Sequence, residues 1–175
     1  MAIDPQRTFL PLRIAVLTVS DTRALTDDRS GDTLVQRIAG AGHLLARRDV
    51  VRDEISAIQA DIRAWTDDQG IDVILCVGGT GITGRDVTPE AIRPLLDKEL
   101  PGFGELFRAL SYPVIGTAAM LSRALAGVSH GTYIFALPGS TDAILLAWDG
   151  ILVHQLDSRT LPGNLARLMP RLKEQ

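Results

Sequence analysis

The stretch that most constrains this chain is Val73 to Pro89, reading VILCVGGTGITGRDVTP. It opens with five apolar residues, Val73 to Val77, too few for a helix and suited to a buried strand. A loop with four glycines in seven residues follows: Gly78, Gly79, Gly81 and Gly84. Thr88-Pro89 then predicts a helix start, a hydroxyl cap followed by proline at the first helical position. The unit is strand, glycine loop, helix. In an open α/β sheet such a loop stands at the carboxyl end of a strand, where these folds bind ligands.

Glycine lets the backbone take positive φ and come close to a ligand, so that N–H groups face anionic oxygens. Thr80 and Thr83 add hydroxyl donors, Arg85 a fixed positive charge and Asp86 a carboxylate. A carboxylate beside phosphates implies Mg²⁺ between the two. One or two glycines would suit a plain tight turn; four, flanked by Thr, Arg and Asp, point to an anion site. Neither common nucleotide motif is met. The phosphate loop needs Lys and Ser or Thr where Arg85-Asp86 stand, and the Gly-rich dinucleotide fingerprint belongs after the first strand, not here.

Taken in order, residues 1 to 11 form an irregular arm with Pro5 and Pro11, and Leu12 to Val19 is a near-continuous apolar run that predicts a central parallel strand. It ends in a second polar cluster, Ser20-Asp21-Thr22-Arg23. A polar loop to Arg29 leads to a helix capped by Ser30, with Leu34, Val35 and Ile38 at helical spacing and Gly40 and Gly42 closing it. His43 to Arg52 is a strand whose polar middle places it at an edge, and Asp53-Glu54 follows. Ser56 and Gln59 form a capping box for a helix carrying Ile58, Ile62 and Trp65. With Ile71 to Val77 the pattern is β-α-β-α-β-α, which predicts a mostly parallel sheet. Pro94 shortens the helix from Thr88, and a second short helix through Leu106, Phe107 and Leu110 is stopped by Tyr112-Pro113. Leu125 to Val128 and Thr132 to Leu137 flank Ser129-His130-Gly131 as a hairpin, adding one antiparallel strand. Pro138-Gly139-Ser140 then meets a helix start capped by Ser140, another anion-binding arrangement. Residues 159 to 175 form a proline-punctuated tail.

Composition narrows the function. The 175 residues fit one domain, 46% of them hydrophobic, with a mean hydropathy of +0.15. No apolar run approaches the ~18 residues of a membrane span, and the first residues lack the regions of a signal peptide. A net charge of −3 with both signs interspersed, and 5% aromatics, argue against nucleic acid. The single cysteine, Cys76, lies inside the apolar strand as an inert core thiol, which fits a reducing cytoplasm. His43, His130 and His154 share no metal-ligand spacing. Trp65 and Trp148 sit on apolar helix faces as core. Asp32 either partners its helix dipole or reaches a ligand.

Ser30-Gly31-Asp32, Gly78-Gly79-Thr80-Gly81, Arg85-Asp86-Val87-Thr88-Pro89-Glu90, Pro101-Gly102-Phe103-Gly104-Glu105, Ser122-Arg123-Ala124 and Pro138-Gly139-Ser140 stand in an order and spacing that resembles one family. The chain is similar to the molybdopterin-binding MogA/MoaB proteins of molybdenum cofactor biosynthesis, from about Leu12 to about Asp157. The N-terminal arm and the late Gln155-Leu156-Asp157-Ser158-Arg159-Thr160 segment look most like the MoaB branch. The resemblance implies a three-layer αβα sandwich, usually a trimer or hexamer, that adenylylates molybdopterin with Mg²⁺ and ATP, releases pyrophosphate and passes the product to a molybdate-inserting partner. It places the catalytic, Mg²⁺-holding carboxylates on Asp53 and Asp86 and the phosphate cradle on Gly78 to Gly81. The pterin side falls on Ser111, Ser122 and Arg123, with Pro138, Gly139 and Ser140 nearby; Ser20, Asp21 and Arg85 complete the expected lining. Two carboxylates and a glycine cradle suffice for nucleotidyl transfer, which rests on positioning and charge neutralisation. The alternative within the family is a non-catalytic molybdopterin carrier. An NAD-dependent enzyme fits less well, because the first strand ends in Ser20-Asp21-Thr22 without the dinucleotide glycines.

Overall fold

The computed structural model describes residues 1–22 and 24–174; Arg23, the last member of the polar cluster after the first long strand, and Gln175 lie outside the described residues. The strands are β1 (Ala2–Ile3), β2 (Arg13–Val19), β3 (Leu44–Val51), β4 (Val73–Val77), β5 (Lys98–Glu99), β6 (Leu125–Ser129), β7 (Thr132–Leu137) and β8 (Thr160–Leu161). The main helices are α1 (Arg29–Gly40), α2 (Ile55–Thr66), α3 (Thr88–Ile92), α4 (Pro101–Ile115) and α5 (Thr141–Ala147). Six strands form one sheet in the order β3-β2-β4-β7-β6-β5. β2 pairs in parallel with β3 and β4, and β4 with β7, while β6 runs antiparallel to both its neighbours. The sheet is therefore mostly parallel with one antiparallel strand, and the polar strand β3 sits at its edge, both as expected.

Alternation along the strands sorts the core onto two faces. Ile14, Val16, Val73, Leu75, Val77, Phe135 and Leu137 join Leu34 and Ile38 of α1, Phe103 and Phe107 of α4 and Ile144 of α5 in one cluster. Ala15, Leu17, Ile74, Cys76, Ile134 and Ala136 pack with Ile58, Ile62 and Trp65 of α2 and with Ala91 and Ile92 of α3 in the other. The result is the three-layer αβα sandwich. Cys76 is buried, its thiol pushed up to about 12 by burial. Among the described residues no helix is long and apolar enough to cross a membrane.

Several local readings change. α4 runs through Pro113 to Ile115 instead of stopping at Tyr112-Pro113. The carbonyl four residues back belongs to Ala109, on the exposed side of the helix, so water can serve the acceptor that proline's missing N–H leaves. The Thr88–Glu99 segment is α3, a 3-10 turn at Arg93–Leu95 and then β5, an edge pairing with β6 that no alternation of two residues could announce. The arm is not wholly irregular: β1 pairs with β8, the Leu10 amide donates to Ser158 Oγ, and the ring of Phe9 packs on His43.

Three of the four predicted caps differ. α1 begins two residues earlier than Ser30 implied: the buried carboxylate of Asp28 caps it by accepting from the Gly31 amide at 2.9 Å. α2 has Glu54 at its cap position without a side-chain bond, and Gln59 donates to the Ala91 carbonyl at 3.0 Å instead of closing a capping box. Thr88 is inside α3, its hydroxyl donating to the Gly78 carbonyl at 2.8 Å. Ser140 does cap α5, accepting from the Ala143 amide.

Candidate functional site

The carboxyl ends of β2, β4 and β7 bring three loops together. Gly78 takes φ +107° and Gly79 φ +61°. A Cβ on Gly78 would meet the Val19 carbonyl at 2.3 Å, and one on Gly79 would meet Thr88 Oγ1 at 2.4 Å and Asp53 Oδ1 at 2.8 Å. Gly139 lies against Gly78, where its own Cβ would stand 3.3 Å from the Gly78 Cα. Glycine is thus required by close approach of backbone at Gly78 and Gly139 and of the Thr88 and Asp53 side chains at Gly79. Gly79→Ala should cost about 1–3 kcal/mol of stability, since it combines positive φ with a clash. A thermal melt of the variant checks this, and an unchanged Tm would contradict it.

A cavity of about 410 Å³ opens over these loops. Ser20, Asp21, Asp53, Gly78, Gly79, Arg85 and Asp86 line it together with Gly139 and Ser140. Asp21 Oδ1 accepts from the Asp53 amide at 3.2 Å, and the exposed guanidinium of Arg85 comes to 3.9 Å of the Asp21 carboxylate. Burial, then the neighbouring charges of Asp21 and Asp86, push the Asp53 carboxyl above its ordinary value. Asp86 goes the other way: its Oδ2 accepts from the Thr83 hydroxyl at 2.6 Å and the Thr83 amide at 2.8 Å, which holds it below the usual carboxylate range.

A raised Asp53 pKa has a definite stability sign. The folded state holds the Asp53 proton more tightly than the unfolded chain, so ionised Asp53 is a folding penalty, full above the folded pKa and absent well below the unfolded one. Asp53→Asn should therefore raise Tm at pH 7. The gain should close as pH falls through the carboxylate range. Melting curves of both proteins across pH check this, and a Tm at pH 7 no higher than wild type would contradict it.

A second cavity of about 550 Å³ adjoins the first, with Ser140 on the boundary of both. Ser111, Ser122 and Pro138 line it with apolar groups that include Phe107, Val114 and Leu146. Ser111 is buried, its hydroxyl bonded to the Phe107 carbonyl. The two cavities thus gather Ser20, Asp21, Asp53, Gly78, Gly79, Arg85, Ser111, Ser122, Asp86 and the Pro138–Ser140 turn. Thr80, Gly81 and Arg123 are not among the residues lining either. Thr80 is buried, and its carbonyl accepts from the Arg123 amide at 3.0 Å. The Arg123 guanidinium donates to the Gly81 and Asp86 carbonyls, at 2.6 Å each, and pairs with Glu90.

The donor set suits a hard cation. Asp53 and Asp86 offer carboxylate oxygens at one cavity, with Asp21 beside them. Among the described residues no three His, Cys, Asp or Glu are grouped to enclose a metal. Mg²⁺ takes one or two carboxylates from a protein and completes its shell with phosphate oxygens and water.

Two supporting residues escaped the sequence reading. Asp28 is fully buried and, besides capping α1, accepts from the Thr18 hydroxyl at 2.8 Å and from Arg48 of β3 at 2.9 Å. Arg48 also reaches Asp32 at 2.7 Å, giving Asp32 a salt-bridge partner inside the protein. α1 so fixed carries Ser30, whose hydroxyl donates to the Gly139 carbonyl at 2.8 Å and holds the turn between the cavities. An acid three residues before Gly31 was the available signal for Asp28; nothing local marked Arg48.

A family model described as a probable molybdopterin binding domain matches residues 15–158. Molybdenum cofactor biosynthesis protein B of Escherichia coli (strain K12) is 47% identical over 166 residues, covering 95% of this chain and 96% of its own. Its namesake in Bacillus subtilis (strain 168) is 48% identical over 146 residues, covering 83% and 86%. A crystal structure of molybdenum cofactor biosynthesis protein B superposes with a TM-score of 0.87 at 39% identity, covering 97% of this chain and 100% of that one.

Proposed function

The chain belongs to the molybdopterin-binding family of molybdenum cofactor biosynthesis proteins, and from that premise we propose that it is a Mg²⁺- and ATP-dependent molybdopterin adenylyltransferase. In this reading the terminal phosphate of molybdopterin attacks the α-phosphorus of ATP. A phosphate oxygen forms the new bond to phosphorus, the bond to the β-phosphate oxygen breaks, and pyrophosphate leaves with that electron pair.

The observation that carries the proposal is the junction of the two cavities. One is apolar with a few hydroxyls, suited to a flat heterocycle. The other presents a glycine loop, an arginine and carboxylates, suited to phosphates and their counter-ion. Ser140 borders both and caps the N-terminus of α5, and in this reading the phosphate joining pterin to nucleotide would lie at that boundary. Gly78 and Gly79 bring backbone close to that phosphate chain, Arg85 adds positive charge at the mouth, and Asp53 and Asp86 would hold Mg²⁺. The cation, when bound, neutralises charge on the phosphates. The reaction needs no nucleophilic side chain, because the pterin phosphate is the nucleophile.

The same reading includes a homo-oligomer, trimeric or hexameric, working in the cytoplasm and handing its product to a molybdate-inserting protein. The exposed apolar side chains of Tyr112, Val114 and Ile115 at the end of α4, and of Met120 in the 3-10 segment that follows it, suit a contact between copies. The carrier alternative shares the apolar cavity but has no use for the paired carboxylates. Incubating the purified protein with metal-free molybdopterin and Mg-ATP tests the proposal. Pyrophosphate released in step with molybdopterin consumed is the expected result. Tight molybdopterin binding without pyrophosphate would replace the enzyme by a carrier.

A further inference from the structure

We propose that Arg123, oriented by Glu90, is a positioning residue that clamps the glycine loop shut and sets where the Asp86 carboxylate stands, and that it does not itself bind the anion. The functional side of this inference rests on the reading of that loop as the phosphate site.

The geometry is that of a brace. Nε of Arg123 donates to the Gly81 carbonyl and Nη2 to the Asp86 carbonyl, both at 2.6 Å, so one planar guanidinium spans the two ends of the Gly81–Asp86 segment. Nη1 is taken by the Glu90 carboxylate on α3. The Arg123 amide adds a bond to the Thr80 carbonyl at 3.0 Å, immediately before the clamped segment. Between the clamped ends Ile82, Thr83, Gly84 and Arg85 are all exposed, and a Cβ on Gly84 would touch nothing within 4 Å. Within the segment the Thr83 amide and hydroxyl donate to the Asp86 carboxylate and the Asp86 amide donates to the Thr83 carbonyl, with a further backbone bond to the carboxylate from Gly81. Those bonds fix the shape of the turn. Its place relative to Asp53 is set by Arg123 and by the Thr88 amide on the Gly79 carbonyl at 3.0 Å.

Charge points the same way. The Glu90 carboxylate and two carbonyl dipoles already answer the guanidinium, whereas Arg85, exposed at the cavity mouth, lies no nearer than 3.9 Å to the Asp21 carboxylate and has charge to offer. A lysine would keep the charge of Arg123 but has one ammonium, unable to hold two carbonyls and a carboxylate in a single plane. Lysine therefore separates a brace from a charge.

The test uses the full chain as wild type, Arg123→Lys, Arg123→Ala and Glu90→Gln. Amide hydrogen exchange over residues 81–86, MgATP binding by calorimetry, and kcat and KM for pyrophosphate release are measured on each. Arg123→Lys should behave as Arg123→Ala, with loop exchange faster and MgATP binding weaker, each by about tenfold or more. The loss of turnover should exceed the change in KM for molybdopterin, and Glu90→Gln should move the same readouts less. Wild-type exchange and affinity in Arg123→Lys would overturn the brace and make the residue a charge. Lost affinity with unchanged loop exchange would also overturn it, as direct contact with the anion. If Arg123→Ala fails to fold, the lysine and glutamine variants still decide. If wild type neither binds MgATP nor releases pyrophosphate, the phosphate-site reading fails, while loop exchange still decides the brace.

Discussion

Asp53→Ala is expected to lower pyrophosphate release by on the order of 10²–10³-fold while the protein stays folded. The carboxylate is the most strained charge of the site, half-buried at the end of the edge strand, with Asp21 and Asp86 close enough to raise its pKa. It has no cationic partner among the described ion pairs, so its removal breaks nothing that holds the fold. A cation bound at the cavity would lose one of two carboxylate ligands and the pterin cavity none of its lining. Molybdopterin affinity should therefore hold while turnover falls, and raising Mg²⁺ should recover part of the rate. The measurement is turnover against Mg²⁺ concentration for both proteins. Wild-type turnover in the variant would remove Asp53 from the chemistry.

Asp28→Ala should be strongly destabilising, losing about 3 kcal/mol or more. The substitution takes away the cap of α1, the acceptor of the Thr18 hydroxyl and one of two carboxylates on Arg48, all at a fully buried site. Arg48 keeps Asp32, which holds the loss near the lower end of the range for a broken buried pair. At two to four degrees per kcal/mol in a chain of this size, Tm should fall by roughly 10 °C. Calorimetry checks the figure. A fall of only a degree or two would show that water replaces the carboxylate. Because α1 carries Ser30 against Gly139, molybdopterin turnover in the surviving folded protein should also fall.

What the sequence disclosed was local. The run Val73 to Val77, the hairpin around His130-Gly131 and the Ser140 cap each depend on a few neighbours, and each forms as expected. Pro113 misled for the same reason: propensity alone ends a helix there, and only the exposed position of Ala109 shows that the lost bond is tolerated. Asp28 was passed over because its environment comes from Thr18 and Arg48, 10 and 20 residues away. The gathering of Asp21, Asp53 and Asp86 at one cavity needs three strand ends side by side; the place of Asp21 at the end of the first central strand marks it as lining, whereas Asp53 and Asp86 follow from the family resemblance and not from spacing along the chain. Arg123, expected on the pterin side, has surroundings that come from far along the chain. It stands by the anion loop, but its guanidinium is turned to the loop's carbonyls.

The most direct test of the central claim follows the phosphorus. ATP labelled at the α-phosphate is incubated with the protein, Mg²⁺ and metal-free molybdopterin, and the products are separated and weighed by mass spectrometry. Adenylyl transfer predicts the label on molybdopterin, at the mass of its AMP adduct, with pyrophosphate unlabelled. Label remaining in ATP while molybdopterin is retained unmodified on the protein would contradict the account and leave a pterin carrier in its place.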